Sequence, residues 1–301
     1  MTILIVGATG VVGGDIAHKL RKQGHSVRAL VRGGAGHPKA QALQEANIEM
    51  SEGNLTQPAT LDRACEGAET VISTATSMPS GANDGLRRVD HEGALALIDA
   101  AARAGVKRFI YTSYSGNIRI DSPLETAKRD CENRLLGCAM QAIILRPSYF
   151  MEMWLSPALG FDPLHGSVRI YGSGEARVNY ISAFDVADFA VEAATRKYAE
   201  KNTILEMGGP EPLSQLDAVR IFEQVLKTKI NLEHVPLEAL EAQYRSATDP
   251  LQKTFAALTL AYAKGDIIHG AAALGRQYGI KLHSVEQYAA GFGKQTGESV
   301  A

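Results

Sequence analysis

The chain opens on a short apolar strand-like run, Thr2–Val6, that breaks directly into Gly7-Ala8-Thr9-Gly10-Val11-Val12-Gly13. From there the apolar residues recur at helical spacing over residues 11–23. Strand, glycine turn and helix in that order leave few folds open. Gly7 ends the strand and permits a tight turn, Gly10 keeps bulk away from anything approaching the loop, and Gly13 lets the helix pack on the strand. The helix start presents unpaired N–H groups and a partial positive charge, a setting for an anion. The spacing is G-x-x-G-x-x-G, one residue longer than G-x-G-x-x-G in its first interval, and such a pattern alone is weak. Its place between a strand and a helix gives it weight as a cradle for the pyrophosphate of a dinucleotide, formed by Gly7, Thr9, Gly10, Val11, Val12 and Gly13. The alternative is a turn whose glycines serve packing only.

The alternation continues. Strands are predicted at 26–32, 48–52, 70–74, 108–112 and 141–146, and helices at 38–46, 57–65, 83–104 and 124–136. Gly24 and Gly105 close the helices before them. Pro147, lacking an N–H, is expected to stop regular pairing. After residue 150 the pattern loosens around Pro157, Gly160, Pro163, Gly166, Gly172 and Gly174. It then returns through a helix at 185–196 and a strand at 202–207. Helices follow, among them 215–227, which Ser214 caps, and a segment at 239–264. The expected fold class is α/β, a Rossmann-type doubly wound parallel sheet with a smaller, mostly helical C-terminal lobe. The dinucleotide-binding domain is expected over 1–153, with a return at about 181–208, and a substrate lobe over 154–301.

Composition narrows the partners. A net charge of -2 supplies no basic field to recruit nucleic acid. The cysteines Cys65, Cys131 and Cys138 and the eight histidines lack metal-ligand spacing, so no metal site is expected. The apolar run Ile3 to Val6 ends in the glycine loop and is too short for a signal peptide, and no later run reaches membrane-spanning length. These features lead to the expectation of a cytoplasmic protein that acts on a small molecule.

Cofactor choice is read at the end of the second strand, where an acidic residue would hold both ribose hydroxyls of NAD. Arg32 stands there instead. Its guanidinium suits a 2′-phosphate and can stack on adenine, which favours NADP(H), with Lys39 assisting. The plain alternative is a solvated arginine at a strand end.

Several runs together resemble a known family. They are Gly7-Ala8-Thr9-Gly10 with Gly13, Leu30-Val31-Arg32, Gly53-Asn54-Leu55, the run from Ala104 through Gly105-Val106-Lys107-Arg108 to Ser113, Leu145-Arg146-Pro147-Ser148-Tyr149-Phe150-Met151-Glu152, and Tyr180-Ile181-Ser182 before Asp185-Val186-Ala187. Most of the chain is similar to the atypical short-chain dehydrogenase/reductases of the NmrA-like type, whose relatives include NADPH-dependent quinone reductases and isoflavone-reductase-like enzymes. The resemblance implies that Asn54 and Leu55 lie near the adenine, although many relatives carry Asp at the first position. It implies that Thr74, Ala75 and Thr76 lie under the ribose and nicotinamide. Small polar strand ends are the plain reading of these residues.

The wider superfamily uses Tyr-x-x-x-Lys as its acid/base pair. Here Leu124 stands four residues before Lys128, so the phenol is missing and epimerase or dehydratase chemistry loses its proton donor. Lys128 resembles the lysine of the isoflavone-reductase-like branch. That implies an ammonium that holds the nicotinamide ribose and stabilises charge on a carbonyl oxygen. The competing reading is a solvated lysine paired with Glu132. Tyr114 occupies the place resembling the superfamily serine, with Ser115 next, and either hydroxyl is a candidate to face the nicotinamide. Tyr149, Phe150, Met151, Met153 and Trp154 are either an apolar wall beside the nicotinamide, fit for a quinone-like molecule, or packing between domains. The expected function is an NADPH-dependent reductase of quinones, enones or related conjugated aromatic acceptors. The alternative is a non-enzymatic redox sensor that binds the dinucleotide and acts on a protein partner.

Overall fold

The structure is a computed structural model that describes residues 1–78 and 85–297. Its strands are β1 (Thr2–Val6), β2 (Ser26–Val31), β3 (Glu49–Glu52), β4 (Thr70–Ser73), β5 (Arg108–Thr112), β6 (Gln141–Pro147), β7 (Phe161–Asp162), β8 (Ser167–Tyr171), β9 (Arg177–Val178), β10 (Asn202–Met207), β11 (Leu213–Ser214) and β12 (Asn231–Val235). The helices are α1 (Val11–Lys22), α2 (Ala40–Glu45), α3 (Ala59–Cys65), α4 (Ala94–Arg103), α5 (Pro123–Leu136), α6 (Met151–Trp154), α7 (Ala183–Thr195), α8 (Gln215–Leu226), α9 (Leu237–Ser246), α10 (Pro250–Lys264), α11 (Ala271–Tyr278) and α12 (Val285–Gly297).

The strands β1, β4, β5 and β6 bury apolar side chains on both faces, the pattern of a parallel sheet covered on both sides. They lie in a seven-stranded sheet of order β10-β6-β5-β4-β1-β2-β3, every pair of which is parallel. One face is covered by α1 and α7, through Ile16, Leu20, Val186 and Phe189. The other is covered by α3, α4 and α5, through Leu61, Leu97, Ile98, Cys131 and Leu135. Strand order reverses between β1 and β4, whose ends meet at Val6 and Ser73. In open α/β sheets that reversal leaves a crevice at the carboxyl ends of the strands, the usual place for a ligand. The glycine loop leaves β1 there, and Thr74 leaves β4.

The lobe carries two small sheets besides its helices, of order β12-β8-β7 and β11-β9. A separate core holds it together, with Phe161, Val168, Ile170, Phe222 and Tyr262 packed on Tyr149, Met151 and Trp154 from the segment after β6.

Local departures from the sequence reading have local causes. β6 ends at Pro147, one residue past the expected bound, and the proline pairs in register with Met207. The proline sits at the strand's last position, where the missing N–H breaks no interior rung, and its carbonyl accepts from the Ser115 amide at 2.8 Å. The expected helix over 239–264 is two helices, because Pro250 begins α10 and Asp249 caps it through the Leu251 and Gln252 amides. Of the helix expected at 83–104, residues 83 and 84 lie outside the described residues. The rest starts as a π-helical stretch, Leu86–Gly93, before α4. π-helical segments are frequent at functional sites, and this one brings Asp90 inward.

Candidate functional site

At the glycine loop, Gly7 has φ +103°. A Cβ there would lie 2.6 Å from Thr74 Oγ1 and 2.8 Å from the Ala75 amide, so only glycine lets the β1 turn lie against the end of β4. A Cβ on Gly13 would lie 2.3 Å from the Gly7 carbonyl, which is why α1 can rest on the turn. Gly10 differs: its Cβ would meet only the Gly7 carbonyl, at 3.3 Å, so it faces outward. Gly10 is the N-cap of α1, with no side-chain cap and no acidic residue in the first turn. The amides of Val11, Val12 and Gly13 therefore open toward the crevice mouth with a partial positive charge and no side-chain acceptor. Val11 is 61% exposed at that mouth.

Arg32 follows β2 and is exposed. Lys39 reaches across to donate from Nζ to the Thr9 carbonyl at 2.8 Å, so a second cation stands on the loop itself. These donors suit a pyrophosphate and a further phosphate beside it. Thr74, Ala75 and Thr76 follow β4, with Thr74 Oγ1 donating to the Val6 carbonyl at 3.4 Å and Thr76 Oγ1 accepting from the Met78 amide at 3.2 Å. Asn54 closes a local turn, its Oδ1 accepting from the Thr56 amide at 3.1 Å. Leu55 is buried with Leu30 in the α3–α5 core, its carbonyl and Cβ hard against Gly93.

Farther along the sheet, Lys128 on α5 is only 7% exposed. Its Nζ donates to the Thr112 carbonyl at 3.0 Å and lies 4.9 Å from the centroid of the Tyr111 ring. Leu124, one turn earlier, is buried and places hydrocarbon where the superfamily phenol would stand. Glu132 is not the partner of Lys128. It is 3% exposed and takes Arg129 at 2.8 Å and Arg146 at 2.5 Å. Burial, the largest influence, pushes the Glu132 carboxyl up, but hydrogen bonds from Arg146 and Ser113 and the Arg129 charge outweigh it and hold the group below the usual range.

The hydroxyls after β5 are sorted by their partners. Ser115 is fully buried and donates to Asp266 Oδ1 at 2.8 Å. Ser113 is buried against Arg129 and Glu132. Tyr114 is half-buried, with the Arg129 guanidinium 4.7 Å from its ring centroid. Burial pushes its phenol above the ordinary value, against the pull of Arg129.

Tyr149, Met151 and Trp154 lie in the lobe core. Tyr149 donates to the Leu258 carbonyl at 3.2 Å and meets Trp154 edge-on at 4.6 Å. Phe150 and Met153 are half-buried.

One polar group beside this region was not singled out from the sequence. Asp90 is 2% exposed, with Oδ2 accepting from the Ser77 amide and hydroxyl at 2.9 and 2.6 Å. Its Oδ1 and Thr112 Oγ1 are buried with no hydrogen-bond partner among the described residues, polar capacity that a bound ligand or solvent can use. Helical spacing gave no sign of it, because a π-helical turn shifts which residues face inward. Among the described residues, no group of three or more His, Cys, Asp or Glu is placed to hold a metal, and no helix is long and apolar enough to cross a membrane.

Fold and crevice together define a Rossmann-type α/β protein whose strand-order reversal presents a glycine loop at a helix N-terminus. The chain belongs to the NmrA-like family, whose profile matches residues 1–269. It is similar to the photosystem II assembly factor Ycf39 of Synechocystis sp., with 30% identity over 259 residues, 85% of this chain and 76% of that protein. It is also similar to the NAD(P)H azoreductase of Xenophilus azovorans, with 28% identity covering 78% of each chain. Among solved structures, an NADPH-dependent quinone oxidoreductase from Escherichia coli in complex with NADPH superposes with a TM-score of 0.78 at 21% identity, covering 96% of this chain and 99% of that one. At that identity the match speaks for the fold.

Proposed function

We propose that this protein is an NADPH-dependent reductase that delivers hydride to a quinone, enone or related conjugated aromatic acceptor. The observation that carries the reading is the buried ammonium of Lys128. Its hydrogen bond goes to a main-chain carbonyl, while the nearby carboxylate Glu132 is occupied by two arginines. The charge is therefore left to act on an oxygen in the crevice.

NADPH, when bound, supplies the hydride. The amides of Val11, Val12 and Gly13 receive the pyrophosphate, Arg32 and Lys39 the 2′-phosphate, and Thr74 to Thr76 underlie the ribose and nicotinamide. Asn54 and Leu55 border the adenine through the backbone of their turn. Lys128 stabilises negative charge on the acceptor oxygen, and Tyr114 closes the acceptor side. A conjugated acceptor spreads the incoming charge over its own π system, so a dedicated phenol acid at position 124 is less needed. The division into a dinucleotide-binding part, 1–153 with its return at 181–208, and an acceptor lobe, 154–301, follows the same reading, with Tyr149 at their seam.

The test is NADPH oxidation against panels of quinones and azo dyes. Acceptor-dependent loss of NADPH absorbance is expected, and Lys128→Met is expected to lower kcat by roughly 100-fold, the scale of losing one charge-stabilising donor. Wild-type protein inert toward every acceptor would defeat the reading.

The second reading is a non-enzymatic NADP(H)-binding sensor that acts on a protein partner. It is favoured by Leu124 in place of the phenol and by the similarity to an assembly factor. It requires different affinities for NADPH and NADP+ without turnover, which titration calorimetry reads directly.

A further inference from the structure

The loop after β5 is gripped by a closed ring of charges. Arg129 donates from Nη2 to the Ser115 carbonyl at 2.8 Å and from Nη1 to the Tyr114 carbonyl at 3.3 Å, while the Tyr114 ring lies under its guanidinium. The same Nη1 meets Glu132 Oε1 at 2.8 Å. Glu132 passes the contact to Arg146 on β6, and Arg146 Nη1 passes it to Glu206 Oε1 on β10 at 2.9 Å. Glu206 Oε2 then accepts from the Gly116 amide at 3.0 Å, one residue beyond the start. The ring thus runs from α5 across two strands to the sheet edge and back to the loop. Gly116 is fitted to it: a Cβ there would lie 2.5 Å from Glu206 Oε1 and 2.8 Å from Arg146 Nη1. On the other side Asp266 holds Ser115, Asn117 and Ser148 through their side chains, at 2.8, 2.9 and 2.7 Å.

We propose that Arg129 is the positioning residue of the acceptor site, fixing the main chain of residues 113–116 and the ring of Tyr114 so that the phenol faces the acceptor held by Lys128. The inference rests on the reductase reading above. A bare ion pair between Arg129 and Glu132 needs neither the two carbonyl contacts nor the stacked ring. Those contacts use the planar fork of arginine, which serves carboxylate, carbonyls and an aromatic face at once, whereas an ammonium is a single point donor. The position of Tyr114 matters because small displacements of a group near a reacting atom carry large rate penalties.

Arg129→Lys keeps the charge next to Glu132 and removes the fork, so the fold is retained while the grip on the loop is lost. Amide hydrogen exchange over residues 113–117 is expected to quicken about tenfold or more in this variant, with the central strands unchanged. With NADPH and menadione, kcat is expected to fall about tenfold and the quinone KM to rise, while NADPH affinity changes by less than about twofold. Glu206→Gln, whose one carboxamide oxygen can keep the Gly116 amide while the Arg146 ion pair is given up, leaves the Arg129 contacts in place and is expected to exchange like wild type over 113–117. Unchanged exchange at 113–117 in Arg129→Lys would overturn the proposal. So would a uniform rise across the sheet, which marks a merely structural role, or unaltered quinone kinetics beside an active wild type. If wild-type protein reduces no quinone, the reductase reading fails by itself, and the exchange arm still decides whether Arg129 holds the loop.

Discussion

Single residues in this chain are chosen by what a neighbour leaves room for. Gly13 and Gly7 are set by a carbonyl and a threonine hydroxyl closer than any Cβ tolerates, and both were legible because a glycine pattern between strand and helix has few other uses. Leu124 was equally legible, since a missing phenol is visible in the letters. The partner of Glu132 was not: helical spacing offers Lys128 one turn earlier, yet the carboxylate turns to Arg146, a β6 residue remote in sequence. Fork geometry favoured the arginine, which donates to Glu132 through both Nε and Nη2. Arg32 carries its prediction at this scale. Arg32→Ala is expected to weaken NADPH binding by about tenfold or more while leaving NADH binding nearly unchanged, since the loss of a charge-assisted contact costs roughly 1.5–3 kcal/mol. Calorimetry with both coenzymes reads it, and an unaltered preference would show that the arginine is only a solvated strand end.

Elements were read well where their ends are chemical. Ser122 and Ser182 cap α5 and α7, and Ser214 forms a full capping box with Asp217 at the start of α8. Asp217 sits below the ordinary carboxylate range, chiefly through the Ser214 amide. Ser214→Ala is expected to cost about 1 kcal/mol, measured by denaturant melts, because it removes the acceptor for the Asp217 amide and leaves Asp217 reaching back alone. A melt identical to wild type would mean that packing of Ala218, Val219 and Phe222, not the cap, fixes where α8 begins. Elements were misjudged where tertiary context overrode spacing, as in the π-helical stretch before α4.

Across the whole molecule, the ring through α5, β6, β10 and the loop joins four elements, and its pH dependence enters through Glu132. The folded-state carboxyl of Glu132 is held low, so its contribution is present above the pKa of the unfolded chain. It is lost as pH falls through the folded value, that is, below the usual carboxylate range. Glu132→Gln is expected to lower stability near neutral pH by about 3 kcal/mol, since it leaves Arg129 and Arg146 without their carboxylate, and to flatten the acid limb of the stability curve. Thermal melts from pH 3 to pH 7 check both, at roughly the range over which carboxylates titrate. An acid limb as steep as wild type would place the titrating group elsewhere.

The sequence by itself determined the alternating parallel sheet, the anion-ready loop, Arg32 at the rim and the absence of a phenol before Lys128, because each depends on neighbours within a turn or a strand. Tertiary structure alone decided that Glu132 serves Arg129 and Arg146, that Ser115 is spent on Asp266, and that Asp90 turns inward beside Ser77. Apart from the i,i+3 pair Arg129–Glu132, those partnerships join residues on different elements. Packing density and the cost of burying an unpaired polar group selected them, and periodicity carries no record of either.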